Sequence, residues 1–246
     1  MTPPTFRWSE WRRAVPVCRF GRLVSAAIAH LAVRRQKTLM PIEAIRNKTP
    51  AQVRDCVAGF APRYIQDWKD WLAASSEARP EFFGRILRKW QATRPSAMRR
   101  LRKEAQHEGP FLDDLLKEAE EPLRALTGLD VTTIAKRTVK QNEALNKLWS
   151  TFSQLRTRGD GSCVGITKAV LLLTDGRIGP AFDSRVRKGL GVAPPDTCAE
   201  WLQALEEVGE DIAAFERAHG AITGVVPACF AGLACGRLYD MTLGPR

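Results

Sequence analysis

The sequence predicts an all-α protein, and two observations carry that expectation. Apolar residues recur at helical spacing through nearly every segment, while the period-two alternation of a strand is almost nowhere present. The periodic stretches are also punctuated by proline and glycine, with capping residues where helices should start and stop. With 246 residues, 44% of them apolar and 26% charged, the chain is long enough to bury one large core or two small ones.

Residues 19–36 form the first expected helix, with Leu23, Ala27 and Leu31 on its buried face. Thr49 then offers an N-cap and Pro50 a first helical position, so one helix is expected through Val53, Val57, Tyr64, Trp68 and Trp71 to Ala74. Pro80 opens the next, through Phe83, Ile86 and Leu87 to Trp90, and Pro95-Ser96 starts an arginine-rich one. Gly109-Pro110 separates that helix from residues 111–126, an acidic amphipathic helix closed by Gly128. Residues 132–156 read as one long helix, its apolar face running from Ile134 through Leu145, Leu148, Trp149 and Phe152 to Leu155, with Arg158-Gly159-Asp160-Gly161 as its end. A helix over 166–173, an Asp175-Gly176 break and a short helix over 183–190 ending in Gly191 follow. Residues 197–219 and an apolar stretch over 221–243 complete the chain. A boundary is expected near Gly128, where nothing resembles a flexible tether. The expectation is therefore two interlocked helical lobes with a cleft between them, 1–128 (completed by 220–246) and 129–219.

Lysine and arginine number 38 against 27 acids, and the +11 balance with a pI near 9.8 calls for a polyanionic partner. No stretch approaches the ~18 consecutive apolar residues of a membrane span; the nearest, residues 23–33, is interrupted by Ser25 and His30. The cysteines at 18, 56, 163, 198, 229 and 235 form no C-x-x-C pair, and His30, His107 and His219 are far apart, so neither zinc nor an iron–sulfur cluster is expected. They read as reduced, mostly buried thiols of a cytoplasmic protein. The first 40 residues carry many arginines and one acid, Glu10, a composition superficially like a mitochondrial presequence; an ordinary basic helix is the preferred reading.

The informative stretch is 164–192, VGITKAVLLLTDGRIGPAFDSRVRKGLGV. Backbone N–H groups freed by Gly161 and Gly165 before a helix starting at Ile166 would make an anion site. Asp183 stands where a carboxylate caps a helix, and Arg185, Arg187 and Lys188 surround it with positive charge. Between Arg85 and Lys103 there are eight basic residues and no acid, a face able to track phosphates. The acids Asp113, Asp114, Glu118, Glu120 and Glu121 make a helix that should turn away from a duplex, or mask this face.

This pattern resembles the helix-hairpin-helix DNA glycosylases of the GPD superfamily. The match is carried by Val164-Gly165, Lys168, the apolar run 169–173, Gly179-Pro180 and Asp183, with Arg185-Val186-Arg187 continuing it. It covers about 40 residues well and the rest through all-α character and size. The usual L-P-G-V-G hairpin is replaced by Gly161-Ser162-Cys163-Val164-Gly165, and Lys168 lies closer to the aspartate than in lyase-active members.

The resemblance implies that Asp183 is the catalytic carboxylate, stabilising the positive charge that grows on deoxyribose as the glycosidic bond breaks. It implies base flipping into a pocket, for which Trp149, Phe152, Trp68 and Trp71 are the candidate wall or wedge residues. Gly161, Ser162, Gly165, Thr167, Arg185, Arg187 and Lys188 would contact DNA. Lys168 would be a Schiff-base nucleophile if its pKa were lowered, although a monofunctional, cofactor-free and monomeric enzyme is the main expectation. One divergent branch is a bacterial phage-defence enzyme that excises glucosylated hydroxymethylcytosine; its pocket should be wide and polar, and an ordinary repair pocket narrow and aromatic. Gly236 to Met241 should dock the C-terminal tail on the first lobe, with Asp240 structural. Two other readings stay open: a non-enzymatic helix-hairpin-helix DNA-binding protein with Asp183 as a cap alone, and a helical RNA-binding protein.

Overall fold

The computed structural model describes residues 41–92, 101–104, 111–155 and 162–245. The helices expected at 19–36 and from Pro95 lie outside them. Among the described residues every regular element is helical. The first described helix is α1, Pro50–Ala58, where Thr49 Oγ1 accepts from Gln52 N at 3.3 Å while Thr49 N donates to Gln52 Oε1 at 2.8 Å. This reciprocal cap satisfies two of the amides that a helix start leaves unpaired.

The single helix expected to run on to Ala74 is two. Gly59 ends α1, and α2 occupies Pro62–Ala73. Pro62 has no N–H to continue the ladder and forces extended backbone on Ala61, whose ψ is 121°. The freed Ala61 N–H donates to Pro245 O at 2.9 Å, so the break is where the C-terminal tail is tied down. Next come α3, Arg79–Lys89, and α4, Leu112–Ala125, which buries Leu112, Leu115 and Ala119.

The long helix expected over 132–156 is also interrupted. A 3₁₀ turn spans Val131–Lys136, α5 spans Val139–Phe152, and a second 3₁₀ turn spans Ser153–Leu155. Thr138 and Gln141 cap α5 reciprocally, an N-terminal signal that the continuing apolar periodicity had hidden. Arg137, at the break, donates to Ile134 O at 3.0 Å and to Asn142 Oδ1 at 2.9 Å, and pairs with Glu206.

At the centre lies α6, Ser162–Leu173, in which Ile166, Ala169, Val170, Leu171 and Leu172 are all shut from solvent. A helix apolar on every side must be surrounded by others, and α6 packs against α3 and α5. It starts four residues earlier than expected. Gly165 is therefore a buried residue inside its first turns rather than part of a glycine turn ahead of it, because one glycine costs only ~1 kcal/mol in a helix that buries so much.

The short α7, Ser184–Leu190, follows Asp183 as expected and closes on Gly191, whose φ of +70° suits a residue without a Cβ. Helix α8, Cys198–His219, carries the fully buried Asp211. Its carboxylate accepts from Ile45 N, Arg46 N, Arg46 Nε and Tyr239 Oη, and so fastens the start of the described chain to its end. The last stretch resolves into α9, Ile222–Val225, a 3₁₀ turn at Ala228–Phe230, and α10, Cys235–Leu243. A continuous apolar core runs from Ile42 to Met241. No described helix is long and apolar enough to cross a membrane.

Candidate active site

The link between α6 and α7 is held by hydroxyls and a carboxylate rather than by regular ladders. Thr174 Oγ1 donates to Val170 O at 2.7 Å and accepts from Ile178 N at 3.1 Å. After the cis Gly179-Pro180 bond, Ala181 N donates to Asp240 Oδ1 at 3.1 Å and Phe182 N to Thr167 Oγ1 at 2.9 Å. Thr167 is buried and its hydroxyl also donates to Cys163 O, so the structure places it in the scaffold under Asp183 and not on a DNA-facing surface.

Asp183 emerges from this fixed backbone. Its Oδ1 accepts from Arg185 N and Val186 N, both at 3.0 Å, which is the cap expected from sequence. Its Oδ2 lies 3.6 Å from Lys168 Nζ. Lys168 is only 8% exposed and donates to Trp90 O at 2.7 Å. Burial pushes its ammonium below the usual lysine range, against the opposing pull of Asp183 and Asp240. Trp90 is held in turn: its Nε1 donates to Asp67 Oδ2 at 2.9 Å, and the other Asp67 oxygen pairs with Lys89 at 2.5 Å.

Two connected spaces meet at Asp183 and Lys168. The inner one is a narrow pocket of about 50 Å³ walled by Phe60, Tyr64 and Trp90, with Arg237 and Asp240 in its lining. The outer one is a cleft of about 400 Å³ lined by Arg63, Gln91, Arg185 and Arg187, and it shares Tyr64 and Trp90 with the pocket. Asp240, buried, accepts from Arg237 Nη1 at 2.5 Å, and burial raises its carboxyl pKa although the arginine opposes this. With its oxygens taken by Arg237 and Ala181, Asp240 is a structural acid beside a second acid that is 25% exposed.

The sequence-predicted residues are therefore divided. Asp183, Lys168, Arg185 and Arg187 come together around one cleft. Lys188 is exposed on α7 but outside the cleft lining. Ser162 opens α6, and Gly161 lies outside the described residues. None of the four proposed wall or wedge aromatics lines the pocket at Asp183. Phe152 is a core residue packed on Phe83 at 6.0 Å, and Trp71, also unexposed, donates from Nε1 to Asp175. Trp149 rests on Trp201 at 5.5 Å, and Trp68 lies flat beneath Trp90. Their helical spacing marked them as core-facing positions: Trp68, Trp71 and Phe152 are buried, and Trp149 is partly buried against the core.

Sequence reasoning missed Arg63, Tyr64, Trp90 and Gln91. Gln91 follows the last turn of α3 with φ +52°, a left-handed conformation that side chains rarely adopt and that the sequence does not mark. Among the described residues of the basic run from Arg85 to Lys103, Arg85, Lys89, Arg102 and Lys103 are paired with Asp70, Asp67, Asp114 and Glu81, and none of these four lines the cleft; Arg94, Arg99 and Arg100 lie outside the described residues. The acidic helix α4 masks part of this run through Asp113 and Asp114, both bonded to Arg102. Among the described residues no His, Cys, Asp or Glu cluster could hold a metal ion. No family model, curated protein or solved structure matches the chain.

Proposed function

We propose that the protein is a DNA glycosylase with Asp183 as its catalytic carboxylate. One observation carries the reading: an aspartate with one oxygen fixed by two backbone amides keeps its other oxygen at the junction of a cationic cleft and an aromatic pocket. The cleft residues Arg63, Arg185 and Arg187 are suited to the phosphates flanking an extruded nucleotide. The aromatic faces of Phe60, Tyr64 and Trp90 are suited to stacking on a planar base, which enters the pocket of about 50 Å³ by parting these walls.

In this reading the deoxyribose stops between the two spaces. The fixed carboxylate stabilises the cationic character that builds on the sugar as the N-glycosidic bond lengthens, and it orients the water that adds to the anomeric carbon. The ammonium of Lys168 is spent on Trp90 O and Asp183, so it orients the carboxylate and the enzyme is monofunctional. The pocket is narrow and aromatic, and the wide polar space is the outer cleft. A glucosylated hydroxymethylcytosine would lodge its sugar there, which keeps phage DNA among the substrates to test.

The test is abasic-site formation in a panel of damaged duplexes and phage genomic DNAs, including glucosylated hydroxymethylcytosine DNA, with wild type and Asp183→Asn in parallel. Release by wild type alone, with duplex binding retained in the variant, supports the glycosylase. If wild type binds duplex and no DNA acquires abasic sites, Asp183 is a cap and the protein a DNA-binding module; its two cap hydrogen bonds favour that second reading. Borohydride trapping by wild type would restore Lys168 as a nucleophile.

A further inference from the structure

A second cavity, of about 250 Å³, opens between α2 and the segment from Cys229 to Met241. Ile65, Leu72, Phe230 and Leu233 make it largely apolar, and the charged residues in its lining, Lys69 and Arg237, are both cations. Three buried donors of its lining residues have no acceptor: Trp68 Nε1, Arg237 Nε and Arg237 Nη2. Both residues are 2% exposed. Buried polar groups are nearly always hydrogen-bonded, so three unmet donors in one lining are a signal.

The geometry of Arg237 sharpens it. Nη1 is taken by Asp240 Oδ2 at 2.5 Å, which leaves the Nε–Nη2 edge of the guanidinium. The two N–H bonds of that edge run parallel and match the two oxygens of a carboxylate. The ring of Trp68 at 4.6 Å and that of Phe60 at 4.8 Å attract the cation but supply no in-plane acceptor for this edge.

We propose that this cavity binds a small apolar carboxylate, its tail among Ile65, Leu72, Phe230 and Leu233 and its head on the free edge of Arg237, with Trp68 Nε1 as a further donor. Water does not reach the three nitrogens, so the guest engages them by parting the side chains that cover them. Arg237 also lines the pocket at Asp183, but the proposal does not rest on the glycosylase reading, because its test reads binding alone and requires no base release.

The probes are octanoate and its uncharged counterpart octan-1-ol, each titrated into the full chain by calorimetry and followed through the indole N–H resonances. Octanoate should bind at least about tenfold more tightly than octan-1-ol, as a charge-assisted fork requires. It should also shift the Trp68 indole resonance, identified by its loss in Trp68→Phe. Arg237→Met should abolish this preference but leaves Asp240 buried without its partner, so Leu72→Glu is the safer variant. Leu72 is 44% exposed in the lining, and an added carboxylate there should weaken octanoate about threefold or more while sparing octan-1-ol. Equal affinity for the two probes, an unmoved Trp68 resonance, or an octanoate affinity untouched by Leu72→Glu would each overturn the proposal.

Discussion

Lys168 Nζ stands 3.6 Å from Asp183 Oδ2, at the floor of a cleft whose other cations are arginines. The two residues leave different helices, and the turn between them is pinned by Thr167, Thr174 and Asp240. Their spacing is thus a property of the whole linker. It yields a carboxylate with one oxygen on the α7 cap and the other facing Lys168 in the cleft.

That division of labour can be separated by two substitutions. Asp183→Asn and Asp183→Ala both remove the charge that faces Lys168, but asparagine still accepts from Arg185 N and Val186 N. The alanine variant should be less stable than the asparagine variant by about 1 kcal/mol in urea unfolding. Base release should be lost in both. Equal stability of the two would show that the cap hydrogen bonds contribute nothing.

The buried ammonium of Lys168 gives stability a pH dependence of definite sign. Its folded pKa is lowered by burial below the 10.5 of the unfolded chain, so in the window between the two the native state binds fewer protons. Stability from this group is fully present above 10.5 and is lost as pH falls through the lowered folded value. Wild type should therefore gain on Lys168→Met as pH rises through that window, measured by urea unfolding at a series of alkaline pH values. A difference that shrinks with rising pH would contradict the assignment.

The approach of α10 to the turn before Asp183 depends on Gly236. A Cβ there would lie 2.6 Å from Gly176 O, 2.8 Å from Gly179 N and 2.9 Å from Arg177 O, all backbone atoms with little freedom to move. Gly236→Ala should cost about 1–3 kcal/mol by overpacking and should also reduce base release, because the same helix brings Asp240 to Ala181 N. Gly232→Ala, with nothing within 4 Å of its Cβ, is the control and should unfold with wild type.

Where a signal and its consequence lie within a few residues, the sequence was legible. The Thr49 and Asp183 caps and the Gly191 helix end all act on near neighbours, and each is found as expected. The breaks at Pro62 and Thr138 had local signals too, but apolar periodicity continued across them and favoured single helices. The four tryptophan and phenylalanine candidates show the opposite limit. Spacing identifies a buried face, yet it does not say whether that face meets a core or a pocket.

All-helical character, the excess of positive charge and the cap at Asp183 follow from residue order alone, since each rests on composition or on hydrogen bonds spanning three or four residues. The site itself does not. Trp90 O reaches Lys168 across 78 positions, and the wall residues Phe60 and Tyr64 meet Arg237 and Asp240 from the far end of the chain. Such meetings depend on how the helices dock around α6, where burying apolar surface outweighs every local preference.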